Sequence, residues 1–251
     1  MLFRSDQQHV TLHQAVLNQA HRIAEEPDDA SAKPHRAVHN PRIPPDRNSG
    51  NESREPSRAI HAQAVAELKG RLLASNILRV GAKAPAFDLP DHDGKTVSSS
   101  DLLAKGKIVL CFIRGRWCPF CVTQMEAMNL VLPRLEQAGA TLVALSPQTV
   151  KQSFFMHDQH KLRFPLLSDA RNKIARQFGL TYRVPGLEEA VYRRAFVNLP
   201  FTNGDESWEL PIPATYIIDG NGTVLSASAN EDYTERAEPA DILRIVEQHP
   251  S

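Results

Sequence analysis

Hydrophobic positions change their period along this chain, and the changes mark out its elements. Lys107-Ile108-Val109-Leu110-Cys111-Phe112-Ile113 runs nearly without a polar break between Gly106 and Arg114-Gly115, which predicts a strand buried on both faces. A helix is predicted next, from Pro119 to about Gln137, then a second buried strand over Leu142–Leu145 and, after Pro147, a helix over Val150–His160. Phe164–Leu167 reads as a short strand, and helices are expected over Ala170–Phe178 and Leu187–Ala195. A loop holding Pro200, Asn203-Gly204 and Trp208 should follow. Near the end, Thr215–Ile218 and Thr223–Leu225 flank the turn Asp219-Gly220-Asn221-Gly222, a hairpin signal, and a last helix is predicted over Pro239–Gln248. Upstream, Ile60, Ala64, Val65, Leu68, Leu72 and Leu73 form one helical stripe between Arg58 and Ser75. Ala84, Phe87 and Leu89 then lead to the turn Pro90-Asp91-His92-Asp93-Gly94, and Ser98 to Asp101 offer caps for a short helix through Leu103. Strands alternating with helices and closing on an antiparallel hairpin imply an α/β fold, with a mixed central sheet and helices on both faces.

Residues 1–57 break this pattern. They hold His9, His13, His21, His35 and His39 among many prolines and polar residues, a composition that buries little apolar surface and predicts a partly disordered arm. A short helix is possible within it from Thr11 to Glu26, where Leu12, Val16, Leu17, Ala20, Ile23 and Ala24 recur at helical spacing, and a flexible linker should follow from Pro27 to Pro56. The expected organisation is thus an arm over 1–57, a connecting helix over 58–79 and a globular domain over 80–251. The arm's histidines lack His-x-His spacing and a carboxylate cluster, so metal binding is set aside there.

Charge adds little, because 29 Lys and Arg balance 29 Asp and Glu. Nothing in that balance calls for nucleic acid or a membrane surface as a partner. No stretch is apolar enough for a membrane span and the first residues lack a secretory apolar run, so a cytoplasmic location is expected. Oligomeric state is not legible.

Chemistry concentrates in three cysteines, Cys111, Cys118 and Cys121, too few to staple a secreted scaffold. Cys118 stands at the mouth of the predicted helix, where unpaired amides and the helix dipole favour a thiolate, and Pro119 suits the first helical turn. Arg114 and Arg116 add positive potential just upstream. Cys121 is three residues on, on the same helix face, within reach of a disulfide that would release a substrate bound to Cys118. Half of a zinc site and a merely structural pair are the competing accounts. Zinc needs about four ligands, and the sequence offers no second Cys pair or His-x-x-x-His element beside His157 and His160. No metal or cofactor is therefore expected. Cys111, inside an apolar strand, reads as packing, and Trp117 either shields the thiol or covers the core edge.

Four phrases in order resemble the peroxiredoxin-like branch of the AhpC/TSA (alkyl hydroperoxide reductase and thiol-specific antioxidant) family. They are Val80-Gly81-Ala82-Lys83-Ala84-Pro85-Ala86-Phe87, Phe112-Ile113-Arg114-Gly115-Arg116-Trp117-Cys118-Pro119-Phe120-Cys121, Leu210 to Asp219, and Asp232-Tyr233-Thr234-Glu235-Arg236-Ala237-Glu238-Pro239. The resemblance implies a thioredoxin-like fold and reduction of hydroperoxides, with Cys118 peroxidatic, Cys121 resolving and a thioredoxin-type protein as reductant. It is incomplete. Where peroxiredoxins carry Pro-x-x-x-Thr-x-x-Cys, the matching positions hold Cys111 and Gly115, and Pro213 stands where their distal arginine would be. Arg114 or Arg116 is then a candidate to stabilise the departing oxygen, or a solvated charge. In thiol-redox enzymes of this architecture a cis proline before the penultimate strand lies against the cysteine pair, so the Ile212–Pro213 bond is expected to be cis. Trp-Cys-x-x-Cys also resembles thioredoxin, and Cys-Pro-aromatic-Cys glutaredoxin, which leaves a protein disulfide reductase and a non-catalytic redox sensor as alternatives.

Overall fold

The computed structural model describes Asn18, Ala20 and residues 55–70 and 76–249. The expected helix over Thr11–Glu26 lies outside the described residues apart from Asn18 and Ala20, and so does the linker expected over Pro27–Pro56 apart from Glu55 and Pro56, which are helical instead. The element order is α1 (Glu55–Gly70), β1 (Asp88–Pro90), β2 (Thr96–Ser98), α2 (Ser99–Leu103), β3 (Lys107–Phe112), α3 (Pro119–Gln137), β4 (Ala140–Ser146), α4 (Val150–Gln159), β5 (Leu166–Ser168), α5 (Lys173–Gln177), β6 (Thr181–Arg183), α6 (Gly186–Arg194), α7 (Leu199–Asn203), β7 (Glu209–Pro211), β8 (Ala214–Ile218), β9 (Val224–Ala229) and α8 (Pro239–Gln248).

β3 is the middle of a five-stranded sheet ordered β5-β4-β3-β8-β9. β4 runs parallel to it and β8 antiparallel, with Val109 opposite Leu142 on one side and Ile217 on the other. All six β3 residues are buried. Their side chains divide by the period of two: Ile108, Leu110 and Phe112 enter a core with Val143, Leu145, Phe178, Tyr216 and Ile218. Val109 and Cys111, with Ile113 just beyond the strand, enter a second core with Met125, Met128, Val131 and Leu135 of α3 and Ile242, Leu243 and Val246 of α8. The mixed sheet covered on both faces that the alternation predicted is the arrangement found.

α3 and α8 take the predicted bounds, each opened by a proline in its first turn. The turn between β8 and β9 closes as expected, with Asp219 Oδ1 accepting from the amides of Asn221 and Thr223. Three expectations need correction. The Ala170–Phe178 helix is split into a 3₁₀ turn (Ala170–Asn172) and α5, because Arg171 and Asn172 take left-handed φ of 59° and 53°. The segment expected as a loop around Pro200 and Trp208 contains α7, capped by Asn198 accepting from the Phe201 amide, and β7, which pairs antiparallel with β6. The Ile212–Pro213 bond is trans, since no described peptide bond is cis. Here the chain passes extended from the β6–β7 ladder into β8, with the Ile212 amide donating to Leu180 O at 2.6 Å, a path that trans geometry provides without the cost of cis. No described helix is long and apolar enough to cross a membrane.

Two glycines give a contrasting test of this framework. Gly179 has φ +71°, and a Cβ there would sit 1.9 Å from Asn76 O, whereas a Cβ on Gly186, the first residue of α6, would meet nothing within 4 Å. Gly179→Ala should cost at least about 2 kcal/mol, from the left-handed backbone and the clash together. Gly186→Ala should stay within about 1 kcal/mol of the parent. Urea midpoints of the two variants check both, and equal midpoints would contradict the described path of residues 76–78 under α5.

Candidate active site

Beyond β3 the chain runs through Ile113-Arg114-Gly115-Arg116-Trp117 and enters α3 at Pro119, with Cys118 as the N-cap residue in an extended conformation. The local turn is closed by the Cys118 amide donating to Gly115 O at 3.1 Å, and by the Cys121 and Val122 amides donating to Cys118 O at 3.0 and 3.1 Å. Both cysteines of the pair are unbonded and buried, Cys118 with 2% and Cys121 with 0% of its surface exposed.

The Cys118 sulfur makes no capping bond to the amides of α3. The donors gather at Cys121 instead. Its Sγ is 3.4 Å from the Arg114 amide and 3.5 Å from Nη2 of Arg236, which comes from the segment between β9 and α8. Burial pushes the Cys118 thiol well up, and the neighbouring Cys121 sulfur, to which it donates, pushes it further against the pull of Arg114 and Arg236. Burial also penalises the Cys121 anion, but the Cys118 thiol, the Arg236 guanidinium and the Arg114 amide outweigh it and hold Cys121 well below the ordinary thiol range. The donors that contact a sulfur are thus gathered at Cys121 rather than at Cys118, the helix-capping residue. The physical reason is that a capping sulfur turned away from the helix amides gains little from them, while its partner one turn on is wrapped by donors.

Arg114 is not a solvated charge. Its side chain is 1% exposed, with Nη2 3.3 Å from Glu188 Oε1 of α6. Its guanidinium carbon lies 3.8 Å from the ring centre of Tyr233, 5.0 Å from that of Trp117 and 5.4 Å from that of Tyr192. Tyr192 also donates to the Glu188 carboxylate. Burial opposes the Arg114 charge, but Tyr182, Cys118, Glu188 and Tyr233 together favour it and raise its pKa. Two buried donors here, Arg114 Nε and Trp117 Nε1, have no acceptor among the described residues. Arg116, by contrast, is exposed, with its guanidinium 6.0 Å from the Phe155 ring.

Gly115, at the position where peroxiredoxins carry threonine, cannot accept a side chain. Its φ is +142°, and a Cβ would fall 2.8 Å from Trp117 Nε1 and 3.2 Å from Gln148 Oε1, the atom that accepts from the Arg116 amide. Cys111 packs in the second core with Sγ 3.8 Å from Thr215 Oγ1, and burial pushes its thiol up to about 12. Pro213 lines a small cleft with Gln124, Thr215 and Arg236. His157 stacks on His92 with ring centres 3.4 Å apart, and His160 meets Glu126 at 2.9 Å.

Sequence reasoning missed Arg236, Gln124, Glu188, Tyr192 and Tyr233. Only Arg236 and Tyr233 fell inside a singled-out phrase, and nothing there assigned them a role. The Arg114–Glu188 contact yields a stability test. Removing one partner of a buried pair typically costs about 3–5 kcal/mol, far more than replacing both. Glu188→Ala should lose about that much in urea unfolding, and Arg114→Met/Glu188→Leu should recover most of it. Equal losses in the single and double variants would show that the pair is not what matters there.

The AhpC/TSA family model matches residues 80–227. A Coxiella burnetii protein carrying the name peroxiredoxin bcp is 33% identical over 103 residues, 41% of this chain and 68% of that protein. The thiol-disulfide oxidoreductase ResA of Bacillus thuringiensis is 26% identical over 163 residues, 64% of this chain and 76% of that protein. Among solved structures, peroxidoxin BcpB of Mycobacterium tuberculosis superposes with a TM-score of 0.55 at 22% identity, over 69% of this chain and 99% of that one. A Xylella fastidiosa PrxQ mutant gives the same score at 17% identity, over 68% and 97%. A sheet built around β3, a cysteine pair opening α3 and a family match over most of the described domain lead to one conclusion: this chain belongs to the AhpC/TSA family and is a peroxiredoxin-type protein of thioredoxin-like fold.

Proposed function

We propose that the chain is a thiol-dependent peroxidase in which Cys118 attacks a hydroperoxide, Cys121 resolves the product and a thioredoxin-type protein restores the dithiol. The observation that carries this reading is the setting of the two sulfurs. They are free, buried, three residues apart at the start of α3 and beside a buried cation, where Arg114 Nε and Trp117 Nε1 lack acceptors among the described residues. A bound peroxide would supply oxygen acceptors to such donors.

The chemistry starts with the Cys118 proton moving to the Cys121 anion. The Cys118 thiolate then attacks one peroxide oxygen, the O–O bond breaks, and the departing alkoxide takes the proton from the Cys121 thiol to leave as an alcohol, which returns Cys121 to its anion. Arg114 offers positive charge to that departing oxygen. The sulfenic acid left on Cys118 condenses with Cys121: the S–S bond forms, the S–O bond breaks, and hydroxide leaves with a proton as water. A reductant dithiol then opens the disulfide by exchange.

A second reading, protein disulfide reductase, is favoured by Gly115, which offers no hydroxyl to orient a peroxide, and by similarity to a thiol-disulfide oxidoreductase. Rapid mixing of pre-reduced protein with hydroperoxide separates the two. Wild type should form the disulfide much faster than free cysteine reacts, and Cys118→Ser should lose the reaction altogether. Cys121→Ser should stop at a sulfenic acid that a dione reagent traps, formed more slowly because the internal base is gone. A wild-type rate no greater than that of free cysteine, together with efficient reduction of insulin disulfides, would replace the peroxidase by the reductase.

A further inference from the structure

We infer that Arg236 is a positioning residue for the cysteine pair: its guanidinium, aimed by Gln124 at the Cys121 sulfur, sets how readily the disulfide is reduced. The inference rests on Cys118 and Cys121 being the redox pair, and not on peroxide being the oxidant.

All three nitrogens of Arg236 are engaged, which fixes where its charge lies. Nε donates to Tyr233 O at 2.7 Å, Nη1 to Gln124 Oε1 at 3.4 Å and Nη2 to Cys121 Sγ at 3.5 Å. Gln124 is itself buried on the inner face of α3 and donates from Nε2 to Thr215 Oγ1 on β8 at 3.4 Å. The guanidinium is thereby tied to the sheet at one end and to a sulfur at the other. Arg114 cannot serve Cys121 in the same way, because its side chain is committed to Glu188 and the surrounding rings and only its backbone amide reaches that sulfur.

The groups acting on Cys121 are Cys118 at the helix mouth, Arg236 on the segment before α8 and Arg114 on the loop after β3. Glu235 and Glu238 line clefts with Arg236, and Cys111 on β3, also within the field of Arg236, has a thiol that burial keeps neutral. Arg236 therefore supplies the side-chain cation in hydrogen-bond reach of the Cys121 sulfur. A cation that stabilises the thiolate stabilises the reduced form, and stabilising the reduced form makes a disulfide more oxidising. In resolution the same anion is the nucleophile that displaces hydroxide from the Cys118 sulfenic acid.

The test uses the full chain. In Cys118→Ser, the thiolate ultraviolet absorbance of Cys121 should titrate below the ordinary thiol value of about 8.5. Adding Arg236→Gln should move that midpoint up by about one unit or more, and Arg236→Lys should restore part of the shift. In the otherwise native pair, equilibration with glutathione buffers should show the Arg236→Gln disulfide about tenfold harder to reduce, a potential about 30 mV lower. A Cys121 midpoint at or above the ordinary value in Cys118→Ser overturns the inference even if Arg236→Gln fails to fold. So does a variant that loses thermal stability while midpoint and redox equilibrium stay put. If both shifts appear but peroxide does not oxidise the pair, the peroxidase proposal fails and this inference stands.

Discussion

Two guanidinium groups buried or half-buried beside two sulfurs impose the main constraint on this molecule. A charge removed from water must be met by an opposite charge or by aligned polar groups, and each arginine is met differently. Arg114 is answered by Glu188 and the faces of Tyr233, Trp117 and Tyr192, which recruits α6 and the segment before α8 as walls of the site. Arg236 is answered by the Tyr233 carbonyl, Gln124 and Cys121 itself. The packing of α6 and of the chain leading into α8 is thus bound to the electrostatics of the cysteine pair, and a change to one disturbs the other.

Elements whose signals are local were legible in the sequence. α3 and α8 open on prolines and carry clear apolar stripes, and β3 is an unbroken apolar run, so their placement needed no knowledge of distant contacts. β6 and β7 were not legible because each has three residues and exists only by pairing with the other across α6 and α7. The split of the helix expected over Ala170–Phe178 was less visible: Asn172 is a residue type that tolerates the left-handed region, but Arg171, which adopts it as well, gives no such signal.

The site divides along the same line. Cys118, Cys121 and Trp117 are neighbours in sequence, so their proximity was readable. The donors around the Cys121 sulfur were not, because one of them comes from Arg236, 115 positions beyond Cys121. Helix-terminus reasoning favoured a thiolate on Cys118 from the unpaired amides, the dipole and the upstream Arg114 and Arg116. The structure adds donors in contact with the Cys121 sulfur. The trans Ile212–Pro213 bond follows similarly from β6 and β7 holding the approach to β8 extended.

These features also explain how the departures from the peroxiredoxin pattern are tolerated together. A threonine at position 115 would collide with Trp117, so keeping the indole over the site and keeping the hydroxyl are mutually exclusive. Trp117 in turn packs on both cores and lies near Arg114, which ties the loop after β3 to the two faces of the sheet. With Pro213 in the place of the distal arginine, positive charge reaches the pair from two other directions: from within the loop through Arg114, and from the far end of the domain through Arg236. The missing side chain at 115 and the indole at 117 are therefore interdependent, and the indole in turn lies against Arg114.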